Sequence, residues 1–184
     1  MKSLNIGCGA DTWGDVRLDV AFNFLMDAFK PTILADAHYL LFKDRSFSIV
    51  KASHVLEHLK DPLKALDEMM RVAEARIILK FPVEWDVLTV FVSNVLPIPN
   101  ISSIKHAYLT RKKKLHLWVL NPEIIMERLK QKGWKTKCAR GDKCLFGGLE
   151  SGRKAKYFRW LTKHFRIPYE YVVMAWKNEN ANNG

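Results

Sequence analysis

The segment HVLEHL at residues 54–59 places His54, Glu57 and His58 at positions i, i+3 and i+4. A helix there would carry all three side chains on one face. Two imidazoles and a carboxylate grouped in that way suit proton transfer near neutral pH, or the binding of a divalent ion. A second group of interest opens the chain. Gly7, Cys8 and Gly9 follow an apolar run, and Asp19 closes the next run ten residues after Gly9. A glycine turn after a strand lets a ligand approach the backbone closely. A dinucleotide site would need a third glycine where Thr12 stands and an acid about 20 residues on, so the pyrophosphate-binding fingerprint is incomplete and an oxidoreductase is disfavoured.

The elements that must position these residues follow from the hydrophobic pattern. Strand-like runs occupy 4–6, 16–20, 33–35, 48–52, 76–81, 135–139 and 169–177. A helix is expected over 61–72, with Asp61 as its cap, Pro62 at its first position, and Leu63, Leu66, Met69 and Met70 three or four residues apart. Another is expected over 121–132, capped by Asn121 and stopped by Gly133. The alternation predicts an α/β fold with a mostly parallel sheet of about seven strands and helices on both faces. Between the first two strands the polar ADTWGDV lacks a helical stripe and is expected to be a loop carrying Trp13.

The 184 residues suit one domain, 1–184, expected to be cytoplasmic, without a leader or a transmembrane segment. Cys8, Cys138 and Cys144 are expected as free thiols. Net charge is +11 but uneven: residues 1–100 hold 11 basic and 13 acidic side chains, and 101–184 hold 19 and 6. The basic half is either a solvated surface or the face for RNA or another anionic partner. Two segments break the alternation, an insertion or lid at about 85–115 containing RKKK at 111–114, and a basic loop at about 140–166.

Read in order, LNIGCG, VRLDV, LADAHYLLF and FSIVKASHVLEHLKDPLKALDEMMRV resemble the class I S-adenosylmethionine-dependent methyltransferases, most closely the type 11 group. The likeness is strong over residues 3–83 and looser through HLWVLNPEIIMERLKQKGWK to YEYVVMAWK. It implies a Rossmann-like fold, S-adenosyl-L-methionine as cofactor, and methyl transfer to an acceptor that is a small molecule or RNA. The alternative is a non-catalytic cofactor-binding protein of the same fold, or a nucleic-acid-binding module. Carried over residue by residue, Gly7, Cys8 and Gly9 lie along the cofactor's aminoacyl end. Asp19, followed by Val20, takes the ribose hydroxyls, Asp36 and Ala37 meet the adenine edge, and Ala52, Ser53 and His54 meet the methionine part. Such a cofactor has no pyrophosphate, so the missing first helix is tolerable, and Trp13 either covers the cofactor or packs on the sheet.

HVLEHL is also similar to a metal-binding segment of some O-methyltransferases, which would make His54, Glu57, His58 and His116 ligands to a divalent ion. The default expectation is no metal, with His54, His58 or His116 as general base, or with positioning alone sufficing because the sulfonium is already an activated donor. Trp85, Val87, Leu88, Val90, Phe91 and Val92 are expected in a lid helix over an apolar substrate, or packed against the core or a dimer partner. Arg153, Lys154, Lys156, Tyr157, Arg159 and Trp160 interleave cations with aromatics as RNA-binding surfaces do.

Overall fold

The computed structural model describes residues 2–9, 11–20, 31–82, 98–99, 117–141 and 170–177. Seven strands, β1 (Ser3–Ile6), β2 (Val16–Asp19), β3 (Ile33–Leu34), β4 (Phe47–Ser53), β5 (Ala73–Pro82), β8 (Lys135–Gly141) and β9 (Glu170–Trp176), form one sheet in the order β3-β2-β1-β4-β5-β9-β8. The first five run parallel, while β9 is antiparallel to both β5 and β8. Two short strands, β6 (Ile98–Pro99) and β7 (Trp118–Val119), pair antiparallel apart from that sheet. The strand order reverses at β1, with β2 on one side and β4 on the other, and open α/β sheets bind ligands at such a point.

Both described helices begin as their sequences direct. The Asp61 carboxylate accepts from the Lys64 N–H at the start of α1 (Pro62–Val72), and Asn121 accepts from the Glu123 N–H at the start of α2 (Pro122–Gln131). Proline at the first position has no N–H to leave unsatisfied. Gly133, at φ +80°, ends α2, and the amides of Gly133 and Trp134 return to the carbonyls of Lys130 and Leu129. The buried faces of both helices, Leu66 and Met69 of α1 and Ile125 and Leu129 of α2, join Leu4, Ile6, Val50, Ile77, Leu79 and Val173 in one core. Arg128 of α2 makes a two-pronged pair with Asp67 of α1, at 2.7 and 3.0 Å.

Both described helices therefore cover the same sheet face, the one bearing the even residues of β1 and the odd residues of β5 and β9. The opposite face receives the loop at 7–15. Because β2 lies on the other side of β1 from β4, a right-handed connection must cross there. Asn5, on that face, donates its side-chain amide to the Trp13 carbonyl at 3.1 Å, and the Lys51 ammonium lies 5.1 Å from the centre of the Trp13 ring while pairing with Asp11. The expected loop is present, and Trp13 packs on the sheet. Most of the expected insertion at 85–115 and nearly all of the basic loop at 140–166 lie outside the described residues.

Candidate active site

A cavity of about 570 Å³ opens at the carboxyl ends of β1, β2 and β4, a volume in the ordinary range for small-molecule sites. Its floor is Ile6, Gly7 and Leu18. Gly7 and Gly9 both take left-handed backbone, φ +61° and +50°, which glycine adopts at no steric cost. A Cβ on Gly7 would stand 2.3 Å from a Val55 methyl, so only glycine lets the β1 turn and the β4 turn close on each other.

Asp19 lines this cavity at the end of β2. One carboxylate oxygen accepts from the Gly9 N–H at 2.9 Å and the other from the Val20 N–H at 2.8 Å. A carboxylate offers about four acceptor positions, so each oxygen retains one for a ligand hydroxyl. Val20, Ala35 and Ala37 supply an apolar wall, with Val20 69% exposed. Asp36 is not on that wall: its carboxylate closes a local turn, accepting from the His38 N–H and contacting the His38 ring, which holds it below the usual carboxylate range. Cys8 is a buried free thiol whose pKa is raised, first by burial, and Ser53 has a buried hydroxyl with no hydrogen-bond partner.

His54 and His58 both reach the cavity, yet HVLEHL is not the helix its spacing suggested. Leu56–His58 is a single 3-10 turn, and His54 precedes it in left-handed conformation, φ +55°. The backbone bends there because the His54 N–H is drawn to the Lys80 carbonyl of β5, at 2.8 Å. Helical geometry across all three residues is thereby lost. His54 and Glu57 still meet, Nδ1 to Oε1 at 3.4 Å, while His58 is exposed. No group of three or more metal-ligating side chains forms among the described residues, and His116 lies outside them.

Sequence reasoning missed Glu170, the first residue of β9. It is buried, its Oε2 lies 3.3 Å from His54 Nε2, and its Oε1 lies 3.6 Å from Lys80 Nζ. Glu57 is 1% exposed and neither of its carboxylate oxygens has a hydrogen-bond partner. His54 thus stands between two buried acids, one at each ring nitrogen. The 3.4 Å approach to Glu57 is an ion-pair distance, longer than a good hydrogen bond. Glu57 raises the His54 pKa above its ordinary value, burial opposes it, and Glu170 adds to the rise.

Residues 16–76 match the family model described as a methyltransferase domain. The chain has the class I methyltransferase fold. The methyltransferase fold is shared with solved structures of low sequence identity. A S-adenosylmethionine-dependent methyltransferase from Mesorhizobium loti is 13% identical with a TM-score of 0.64, covering 96% of this chain and 90% of that one. Another from Archaeoglobus fulgidus is 16% identical with a TM-score of 0.57, covering 95% and 85%. A third from Thermotoga maritima is 14% identical with a TM-score of 0.60, covering 96% and 82%. No curated protein matches the sequence.

The three neighbours are S-adenosylmethionine-dependent methyltransferases, and the residues lining the cavity fit that cofactor. Asp19 has two open acceptor positions for two ribose hydroxyls, Gly9 has open space where a side chain would stand, and exposed Val20 offers an apolar surface for a base.

Proposed function

We propose that the chain binds S-adenosylmethionine in the cavity over β1, β2 and β4 and transfers its methyl group to a protic nucleophile. The observation that carries this reading is the Asp19 carboxylate, fixed by the Gly9 and Val20 amides and facing the cavity. When bound, the cofactor supplies an activated methyl on a sulfonium. The protein's task is then to hold the acceptor in line and dispose of its proton. Asp19 anchors one end of the site and the Gly7–Gly9 turn leaves room for the other. His54 lines the same cavity, and its neighbours Glu57 and Glu170 raise its pKa, favouring the protonated ring. The acceptor's proton then goes to His58, on the same cavity wall, or to water.

Calorimetry with S-adenosylhomocysteine tests the site. Asp19→Ala removes two charge-assisted contacts, each worth about 1.5–3 kcal/mol, and is expected to weaken binding by about 100-fold or more. Unchanged affinity would refute the assignment. Transfer of labelled methyl from the cofactor into fractionated cell extract tests the reaction, and the fraction that takes the label identifies the acceptor class. Cofactor binding without transfer to any fraction would indicate a protein that keeps the cofactor fold without turnover.

A further inference from the structure

The sheet face opposite α1 and α2 carries a pattern suited neither to a helix nor to plain solvation. Register fixes which side chains stand side by side on β8, β9 and β5. Lys135 pairs with Trp176 and Trp176 with Arg76, while in the next row Lys137 pairs with Met174 and Met174 with Ile78. Neighbours in a row are about 4.8 Å apart, and successive rows about 7 Å apart along the strands. Trp176 and Met174 are each 37% exposed, and Lys135, Lys137 and Arg76 are exposed. None of these three cations has an ion-pair partner among the described residues. Of the acids on these strands, Glu74, the second residue of β5, stands on this face two residues before Arg76, and Glu170 is paired to Lys80 and His54.

Lysines on an edge strand such as β8 can serve only to discourage edge-to-edge pairing. That role accounts for Lys135 and Lys137 but not for Trp176, one strand inward, or for Arg76 on its other side. An exposed indole with a cation on either flank fits a partner with flat apolar rings and regularly spaced negative charges. Single-stranded nucleic acid has both, and stacking on sheet aromatics with phosphates on flanking cations is a recurrent mode of binding it. Charge complementarity favours the same partner, since Arg76, Lys135 and Lys137 stand exposed on this face around Trp176 and Met174.

We propose that the face formed by Arg76, Lys135, Lys137, Met174 and Trp176 docks single-stranded nucleic acid, with a base stacked on Trp176 and phosphates on the flanking cations. The surface is separate from the cofactor cavity, and none of these residues lines that cavity. Docking here would deliver a long anionic chain along the sheet toward Lys80 and His54, at the end of the strands where the cavity opens.

Fluorescence anisotropy with a labelled oligouridylate of about 20 nucleotides tests the proposal on the full chain. Wild-type protein is expected to bind at about 50 mM salt and to weaken steeply by about 200 mM. Lys135→Ala with Lys137→Ala should weaken binding about 10-fold or more and flatten the salt slope by about 1.4, two phosphate contacts on a single strand. Trp176→Ala should cost about 5-fold or more, and Trp176→Phe should retain most of the affinity by keeping an aromatic surface. Lys64→Ala, on α1, is expected to change nothing. S-adenosylhomocysteine binding by calorimetry serves as the folding control and does not depend on this surface. The proposal is overturned if the oligonucleotide does not bind at low salt, or if the double lysine variant binds it as wild type does. It is equally overturned if phosphatidylserine vesicles bind through these lysines and the oligonucleotide does not.

Discussion

His54 holds a left-handed backbone that a non-glycine residue adopts only at a cost of about 1–3 kcal/mol. Three contacts hold it there: its amide on the Lys80 carbonyl and its ring nitrogens between Glu57 and Glu170. The ring pKa is raised by those acids, Glu57 foremost, so protonation and folding favour each other. That contribution is fully present below the ordinary histidine value of 6.5 and is lost as pH rises through the raised folded value. With the His54 side chain 36% exposed the effect is screened to about 1 kcal/mol or less, or about 2–4 °C in melting temperature. Wild type should therefore exceed His54→Gln in melting temperature most at pH 5.5, with the gap narrowing toward pH 9. A gap that widened with pH would show that His54 is held neutral. The sequence displayed His54 and Glu57 as a local pair, but Glu170 stands 116 residues away and no spacing rule connects them.

Among the elements, α1 does more than fill the core. Arg71 in its last turn reaches back to the segment between β3 and β4, donating to the carbonyls of Leu40 at 2.6 Å and Phe42 at 2.7 Å. It also pairs with Asp44 and, within the helix, with Glu68, whose other contact is the Leu40 amide. One guanidinium thus replaces the regular structure the 35–46 segment lacks. Arg71→Ala leaves two carbonyls without their donor and should cost about 1–3 kcal/mol, read by chemical denaturation. Arg71→Lys should fall between, since an ammonium cannot present the planar fork. The boundaries of α1 were legible because Asp61 and Pro62 are local signals. The Arg71 clamp was not, because its partners are backbone carbonyls 29 and 31 residues away.

At the scale of the whole molecule, the sheet's reversal at β1 places the glycine turn, Asp19 and His54 around one opening. A ligand that binds only the folded chain stabilises it by about 2.7 kcal/mol at 100 times its dissociation constant. S-adenosylhomocysteine at that excess should raise the melting temperature by about 5–10 °C in scanning fluorimetry. No shift at saturating ligand would contradict the cavity assignment. The charge asymmetry between the chain's halves was readable by counting, but the sheet face on which Lys135 and Lys137 stand depended on strand order and register.

What the sequence determined by itself is what local physics encodes. Alternating apolar positions specified the strands, caps and prolines started the helices, and the polar 7–15 stretch announced a loop in place of a helix. Gly7, Gly9 and Asp19 were recognisable because a left-handed turn and a carboxylate at a strand end lie within a few residues of each other. The tertiary structure alone decided that HVLEHL would bend into a 3-10 turn, since the pull on His54 comes from the Lys80 carbonyl on a neighbouring strand. It also decided that Trp13 would lie on Lys51, that Asp36 would serve its own turn, and that Trp176 would sit between two cations. Each of those outcomes depends on which strands become neighbours and in what register, a non-local choice settled by burying one core.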